Sequence, residues 1–218
     1  MTAAAEWLNS TFATFDFSLF EFFHNLHDGA LGFIINPFLE FITLLGHDGL
    51  FLIFLSLILM IFKKTRKAGA VMLFGVAFGA LITNLTVKPM VARPRPYTNT
   101  EWDVYQWWIN AGKHVESDKS FPSGHTTAAM SAMTGLFFTF DKKKSWTAFI
   151  FAILMGCSRI LLCVHYPSDV LGGFVVGFVA GLLAAILINW FYKTKEGTLR
   201  EAIVLFDPIA LIAAKKNK

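Results

Sequence analysis

Three short stretches of this 218-residue chain carry residue types suited to handling an anion. The first is Lys88, then six residues, then Arg95-Pro96. The second is Pro122-Ser123-Gly124-His125. The third is Ser158-Arg159, five residues, His165, three residues and Asp169. Lys88, Arg95 and Arg159 are cations, and a planar guanidinium fork can bind two phosphate oxygens at once. Ser123-Gly124 precedes an apolar helical run, so its backbone amides are expected near a helix N-terminus, a natural anion site. Gly124 lets the backbone come close to a ligand. His165 and Asp169 stand four apart, on one helical face or around a tight turn at Pro167. A carboxylate so placed can bind one ring nitrogen and leave the other free to attack. Histidine can serve as a covalent nucleophile through a phosphohistidine, and His125 is then free to protonate the leaving oxygen as general acid. A second chemical reading makes His125, His165 and Asp169 a two-histidine, one-carboxylate metal set. Three surrounding cations and the lack of further acidic ligands nearby speak against it. His24, His27, His47 and His114 read as interfacial polar residues or structural hydrogen bonders.

The elements that must position these residues are apolar. Hydrophobic residues make up 55% of the chain and Phe alone accounts for 24 positions, a composition that points to a polytopic membrane protein. Phe15 to Leu26 carries apolar residues at helical spacing and reads either as an amphipathic helix lying in the membrane interface or as the start of a first span. Leu31 to Leu45 is a broken or tilted span, interrupted by Pro37 and Glu40. Further spans are expected over 49–62, 68–87, 126–140, 145–164 and 170–192, giving about six. Gly173, Gly177 and Gly181 recur at four-residue intervals on the last of them, a face that lets another backbone approach. The tail from Lys193 onward is basic and holds an apolar segment, 202–214, broken by Asp207-Pro208; it reads as lying in the interface. Cys157 and Cys163, six apart, fall on different helical faces, so no disulfide is expected. The first 30 residues lack a basic n-region and a clean apolar h-region, so no cleavable signal peptide is expected.

Basic residues orient the chain. Thirteen of the nineteen Lys and Arg fall in the 63–67 loop, the 142–144 loop and the tail, which assigns that side to the cytoplasm. The formal net charge of +4 therefore reports topology, and no nucleic-acid partner is implied. Lys88, Arg95 and Arg159 then face away from the cytoplasm. The loop 89–120 lies on that outer side with five Trp and Tyr residues, and is expected to anchor in the headgroup region rather than to cap the site.

Together the three motifs resemble the membrane branch of the type 2 phosphatidic acid phosphatase superfamily, which shares its active-site plan with vanadium haloperoxidases and glucose-6-phosphatase. The motifs span 88–169 without departing from the pattern, and the flanking helices fit the six-helix plan. The resemblance implies an all-α bundle, a single membrane-embedded domain over 1–218 with its motif-bearing core at 68–192. It implies His165 as nucleophile, Asp169 as its orienting partner and His125 as general acid, with Lys88, Arg95, Arg159, Ser123 and Gly124 binding phosphate. Metal-free hydrolysis of a lipid phosphate or diphosphate at the outer face of the plasma membrane, with no cofactor, is the activity expected. Undecaprenyl diphosphate is the first substrate, by resemblance to small bacterial members; phosphatidylglycerophosphate or phosphatidic acid is the second. A phosphotransferase is an alternative within the family. A non-catalytic lipid-binding or lipid-moving protein is the alternative of another class, and the complete His125, His165 and Asp169 set argues against it.

Overall fold

The computed structural model describes residues 1–193 and 197–206, and within them every regular element is helical. In chain order these are α1 (Ala3–Thr11), α2 (Ala13–Asp28), α3 (Gly32–Gly46), α4 (Leu50–Ile61), α5 (Arg66–Leu81), α6 (Lys88–Val91), α7 (Asp103–Asn110), α8 (Gly124–Thr139), α9 (Lys142–Ser145), α10 (Ala148–Leu161), α11 (Pro167–Tyr192) and α12 (Leu199–Leu205). A π-helical stretch, Ile82–Val87, joins α5 to α6, so the helix carrying Lys88 runs nearly unbroken from the opposite end of the bundle.

The stretch from Arg66 to Thr98, that from Lys142 to Leu161, and α11 are long and apolar enough to cross a membrane. A fourth crossing arises if α2 and α3, bent by 117° at the Gly29–Leu31 turn, count as one broken span. The 12 residues of α4 and 16 of α8 are apolar but shorter. At about 1.5 Å per residue, α8 extends roughly 24 Å, short of a ~30 Å hydrocarbon core. Large apolar side chains face outward throughout: Phe33 and Leu44 on α3, Phe54 on α4, Val175 and Ile186 on α11. That distribution suits a hydrocarbon solvent, and the chain is a membrane protein.

The centre of the bundle is α5, α8 and α11, and small residues decide how closely they pack. A methyl group added at Gly177 would stand 2.6 Å from the Thr127 carbonyl oxygen, and one at Gly181 would stand 2.5 Å from that of Ser131. Backbone therefore meets backbone along the glycine face of α11, as the four-residue spacing suggests. Leu52, Met72, Ala129, Ala132 and Met155 fill a second layer toward α4 and α10.

The periphery adds one detail and changes one expectation. The face of α2 turned toward the protein includes Asp16, Phe20 and Phe23, while Phe22 points outward; the acidic residue faces inward. The outer loop is likewise packed rather than spread on a surface. Val104 and Trp108 of α7 are buried, Trp102 meets Phe20 edge-on at 5.7 Å and stacks on Tyr166 at 6.0 Å, and Trp107 stacks on His24 at 4.5 Å. Cys157 and Cys163 are free thiols. The apolar tail expected over 202–214 falls partly outside the described residues.

Candidate active site

The third motif is assembled by one helix start. Pro167 occupies the first turn of α11, where its missing N–H and fixed φ fit, and Asp169 lies at the third position, accepting from the Tyr166 N–H at 2.9 Å to close a capping box. Just upstream the chain turns through Cys163 at φ 52°, which brings His165 off the end of α10 and back over the bundle. The second motif is also a helix start. Ser123 caps α8, its hydroxyl accepting from the Thr126 amide and hydroxyl, so Gly124 and His125 sit in the first turn with free N–H groups. Lys88 arrives on α6, and Ala92, in the left-handed region at φ 49°, ends that helix and turns the chain into Arg93-Pro94-Arg95-Pro96.

A cavity of about 180 Å³ lies where these ends meet. Lys88, Arg95, His125 and His165 line it together with Glu116 and Asp118, and Gly46, Gly49, Val76, Gly79, Ala80, Gly124 and Ala128 supply its small and apolar lining. Room for the His125 ring depends on Gly46: a methyl there would stand 3.1 Å from His125 Cδ2. Arg159 reaches the same place through Glu116. Ser123 and Asp169 stand behind the wall, both fully buried.

His165 Nδ1 lies 3.6 Å from Asp169 Oδ2, ion-pair range rather than a hydrogen bond. Asp169 is already occupied, Oδ1 by Arg93 and Oδ2 by the Ser120 hydroxyl and the Tyr166 amide. Arg95 Nη1 lies 2.9 Å from His165 Nε2 and 3.4 Å from Nδ1. In the tautomer whose Nε2 accepts from Arg95, the proton of the neutral imidazole is on Nδ1, toward the carboxylate. Burial first, then the charges of Arg95, Arg159 and Lys88, hold the His165 pKa well below its ordinary value, against the opposing pull of Asp118. Among the described residues no three His, Cys, Asp or Glu side chains are grouped as a metal site.

The strap 111–120 brings two acids that sequence reasoning did not use. Asp118 pairs with both Lys88 and Arg95, and Glu116 pairs with Arg159. Burial works to raise the Asp118 pKa, yet the hydrogen bonds and charges of Lys88 and Arg95 hold it below the usual carboxylate range. The strap is itself fastened: Tyr97 and Glu116 exchange hydrogen bonds at 3.1 and 3.2 Å, and Trp108 Nε1 donates to the His114 carbonyl at 2.6 Å. Two buried polar groups here carry no hydrogen bond among the described residues, Arg159 Nε and the Thr83 hydroxyl. Thr83 belongs to the π-helical stretch and lines the cavity, a setting common at functional sites. Three cations, two histidines and a helix N-terminus converging on one small cavity can accept a phosphoryl group, stabilise its charge and offer it a nitrogen nucleophile.

The sequence profile of the PAP2 superfamily matches residues 68–193. Undecaprenyl-diphosphatase BcrC of Bacillus subtilis is 31% identical over 170 residues, covering 77% of this chain and 81% of that protein. A lipid A 1-phosphatase of Rhizobium johnstonii is 33% identical over 120 residues, covering 55% of this chain and 47% of that protein. A protein named bacitracin transport permease protein BcrC, from Bacillus licheniformis, is 26% identical over 95% of this chain and 96% of its own length. No solved structure matches the chain significantly.

Proposed function

The chain belongs to the PAP2 superfamily and is a membrane lipid phosphatase; from that premise we propose that it hydrolyses undecaprenyl diphosphate to undecaprenyl phosphate at the outer face of the plasma membrane, by way of a phosphohistidine. The observation that carries the reading is His165 at a cavity lined by Lys88 and Arg95, with Asp169 Oδ2 3.6 Å from its Nδ1. The terminal phosphoryl group displaces Glu116 and Asp118 from Arg159, Lys88 and Arg95, whose charge it matches. His165 Nε2 attacks phosphorus in line. The bond from phosphorus to the departing oxygen breaks, and His125 gives that oxygen a proton. Burial, then the Arg159 charge, lower the His125 pKa to about 2 before substrate enters, so the donor proton is one that His125 takes up as the phosphate dianion binds beside it. Water then attacks the phosphohistidine, His125 takes the proton back, and inorganic phosphate leaves with His165 neutral again. Transition-state charge is stabilised by Lys88, Arg95, Arg159 and the first amides of α8 at Gly124, with Ser123 fixing that helix end.

The outward-facing site is supported by the layout of the bundle. α5, α8, α10 and α11 each have one end at the cavity, so the 63–67 turn and Lys142–Lys144 lie at the far end. The chain after α11 returns there too, because Arg66 donates to the carbonyls of Ile203 and Val204 at 3.3 Å. The substrate choice rests on the B. subtilis relative, while the R. johnstonii relative keeps lipid phosphomonoesters in view.

Phosphate release by the detergent-purified protein in chelator tests this, with undecaprenyl diphosphate, phosphatidylglycerophosphate and phosphatidic acid as substrates and His165→Ala alongside. Release fastest from undecaprenyl diphosphate, unaffected by chelator and lost in the variant, is the expected result. Release that persists in His165→Ala, or that dies with chelator, would overturn the mechanism. A different rank order would replace the substrate.

A further inference from the structure

Arg93 belongs to none of the three motifs, yet it is fully buried beside the dyad. Its Nη1 donates to Asp169 Oδ1 and to the Ser168 hydroxyl, each at 2.7 Å. Nη2 donates to Asp16 Oδ2 at 2.9 Å and Nε to Asn9 Oδ1 at 2.8 Å. The Tyr166 ring lies against the guanidinium, 3.6 Å from its centre. Asp16 is held as tightly, accepting from the Ser168 amide at 2.7 Å and from the Ser168 hydroxyl at 2.8 Å. A buried Asp16–Arg93–Asp169 triad thus links α2 to the start of α11.

We propose that Asp16 and Arg93 are positioning residues for phosphoryl transfer, acting through Asp169, which makes α2 part of the catalytic machinery. The inference rests on the His165–Asp169 reading of the site given above. Two physical arguments carry it. Arg93 holds Asp169 Oδ1, and that fixes the carboxylate plane so that Oδ2 is the oxygen facing His165. Charge supplies the second argument. Arg93 alone would neutralise Asp169, whereas with both carboxylates ionised the triad carries one net negative charge. That charge lies behind His165, where attack on phosphorus makes the ring positive. In low-dielectric surroundings the compensation acts at full strength. Arginine suits the post because one planar fork serves Asn9, Asp16, Ser168 and Asp169 together, which a lysine point charge cannot do.

The test is a double-mutant cycle on the full chain in detergent, reading kcat and KM for phosphate release from undecaprenyl diphosphate and phosphatidic acid. Asp16→Asn is expected to lower kcat by about 10- to 100-fold, the range seen when outer partners of a catalytic ligand are removed, with KM within about twofold. In an Asp169→Asn background the same change is expected to cost nothing further. Ser168→Ala, a milder change that removes the hydroxyl bonded to both Arg93 and Asp16, should act in the same direction and be masked in the same way. Arg93→Lys should not restore the rate lost in Arg93→Met. Size-exclusion profiles and melting temperatures separate rate loss from misfolding, and Ser168→Ala carries the test if Asp16→Asn does not fold. Wild-type kcat in Asp16→Asn or Ser168→Ala, or losses that multiply in the Asp169→Asn background, would overturn the proposal. An inactive wild type, or an Asp169→Asn enzyme with full activity, would instead remove the dyad reading beneath it.

Discussion

Burial, and after it the charges of Arg95, Arg159 and Lys88, disfavour a proton on His165. An unfolded chain carries no such penalty, and its histidine titrates near the ordinary value of about 6.5. Below that pH the unfolded state takes up a proton that the folded state refuses, so the stability contributed by His165 is present above it and declines as pH falls. Melting temperature in detergent is therefore expected to drop between pH 7.5 and 5, and His165→Gln to flatten part of that slope. Asp118 acts with the same sign, since its folded value is depressed, but only once pH falls through the carboxylate range. A slope unchanged in His165→Gln would show that His165 titrates alike in the folded and unfolded protein and is not shifted by its site. At this scale the local geometry of the motifs was legible in the sequence, because each is local: Ser123 caps the helix that begins at Gly124, and Asp169 caps the helix that begins at Pro167. Arg93 and Asp16 were not legible. They are 77 positions apart, and an acidic residue in an apolar helix announces no partner.

The strap 111–120 supplies counter-ions to the cations of the site. Glu116 and Asp118 lie where phosphate oxygens would otherwise pair with Arg159, Lys88 and Arg95, and the Asp118 side chain is 46% exposed. Substrate binding is then an exchange of anions, in which each carboxylate returned to water offsets part of the gain. Glu116→Gln with Asp118→Asn should lower KM, and the inhibition constant of vanadate, by roughly tenfold, or about 1.4 kcal/mol, with kcat little changed. A rise in KM would show that the carboxylates organise the cations rather than compete for them. Sequence reasoning placed this loop on the outer side and read its aromatics as anchors, since Trp and Tyr have that preference in general. The structure uses Tyr97 and Trp108 to hold the strap, a role visible only through contacts with Glu116 and His114. Periodicity predicted α2 equally well and did not say which face turns inward. In a membrane protein the apolar face can point to lipid, as Phe22 does, and the acid to the protein, as Asp16 does.

At the scale of the whole molecule, the site and the basic turns occupy opposite ends of the same helices. Lys119 and Lys143 are both exposed and should report opposite sides of the membrane. In intact cells Lys119→Cys is expected to react with a membrane-impermeant maleimide and Lys143→Cys only after permeabilisation; the reverse pattern would invert the topology. Cys163 should stay silent in such an assay, its thiol buried and pushed up to about 12. The cavity itself is mixed, lined by Lys88, Arg95, His125 and His165 and by Gly46, Gly49, Val76, Gly79 and Ala80, and it lies among helices whose outer surfaces are apolar. Such an enzyme samples its substrate within a plane, so its rate follows the mole fraction of lipid phosphate in the film rather than its molarity. Inert phospholipid added at constant substrate per volume should slow it by surface dilution alone. Its two products also part company by phase, phosphate to the water and the lipid to the film, and that partition draws the reaction forward.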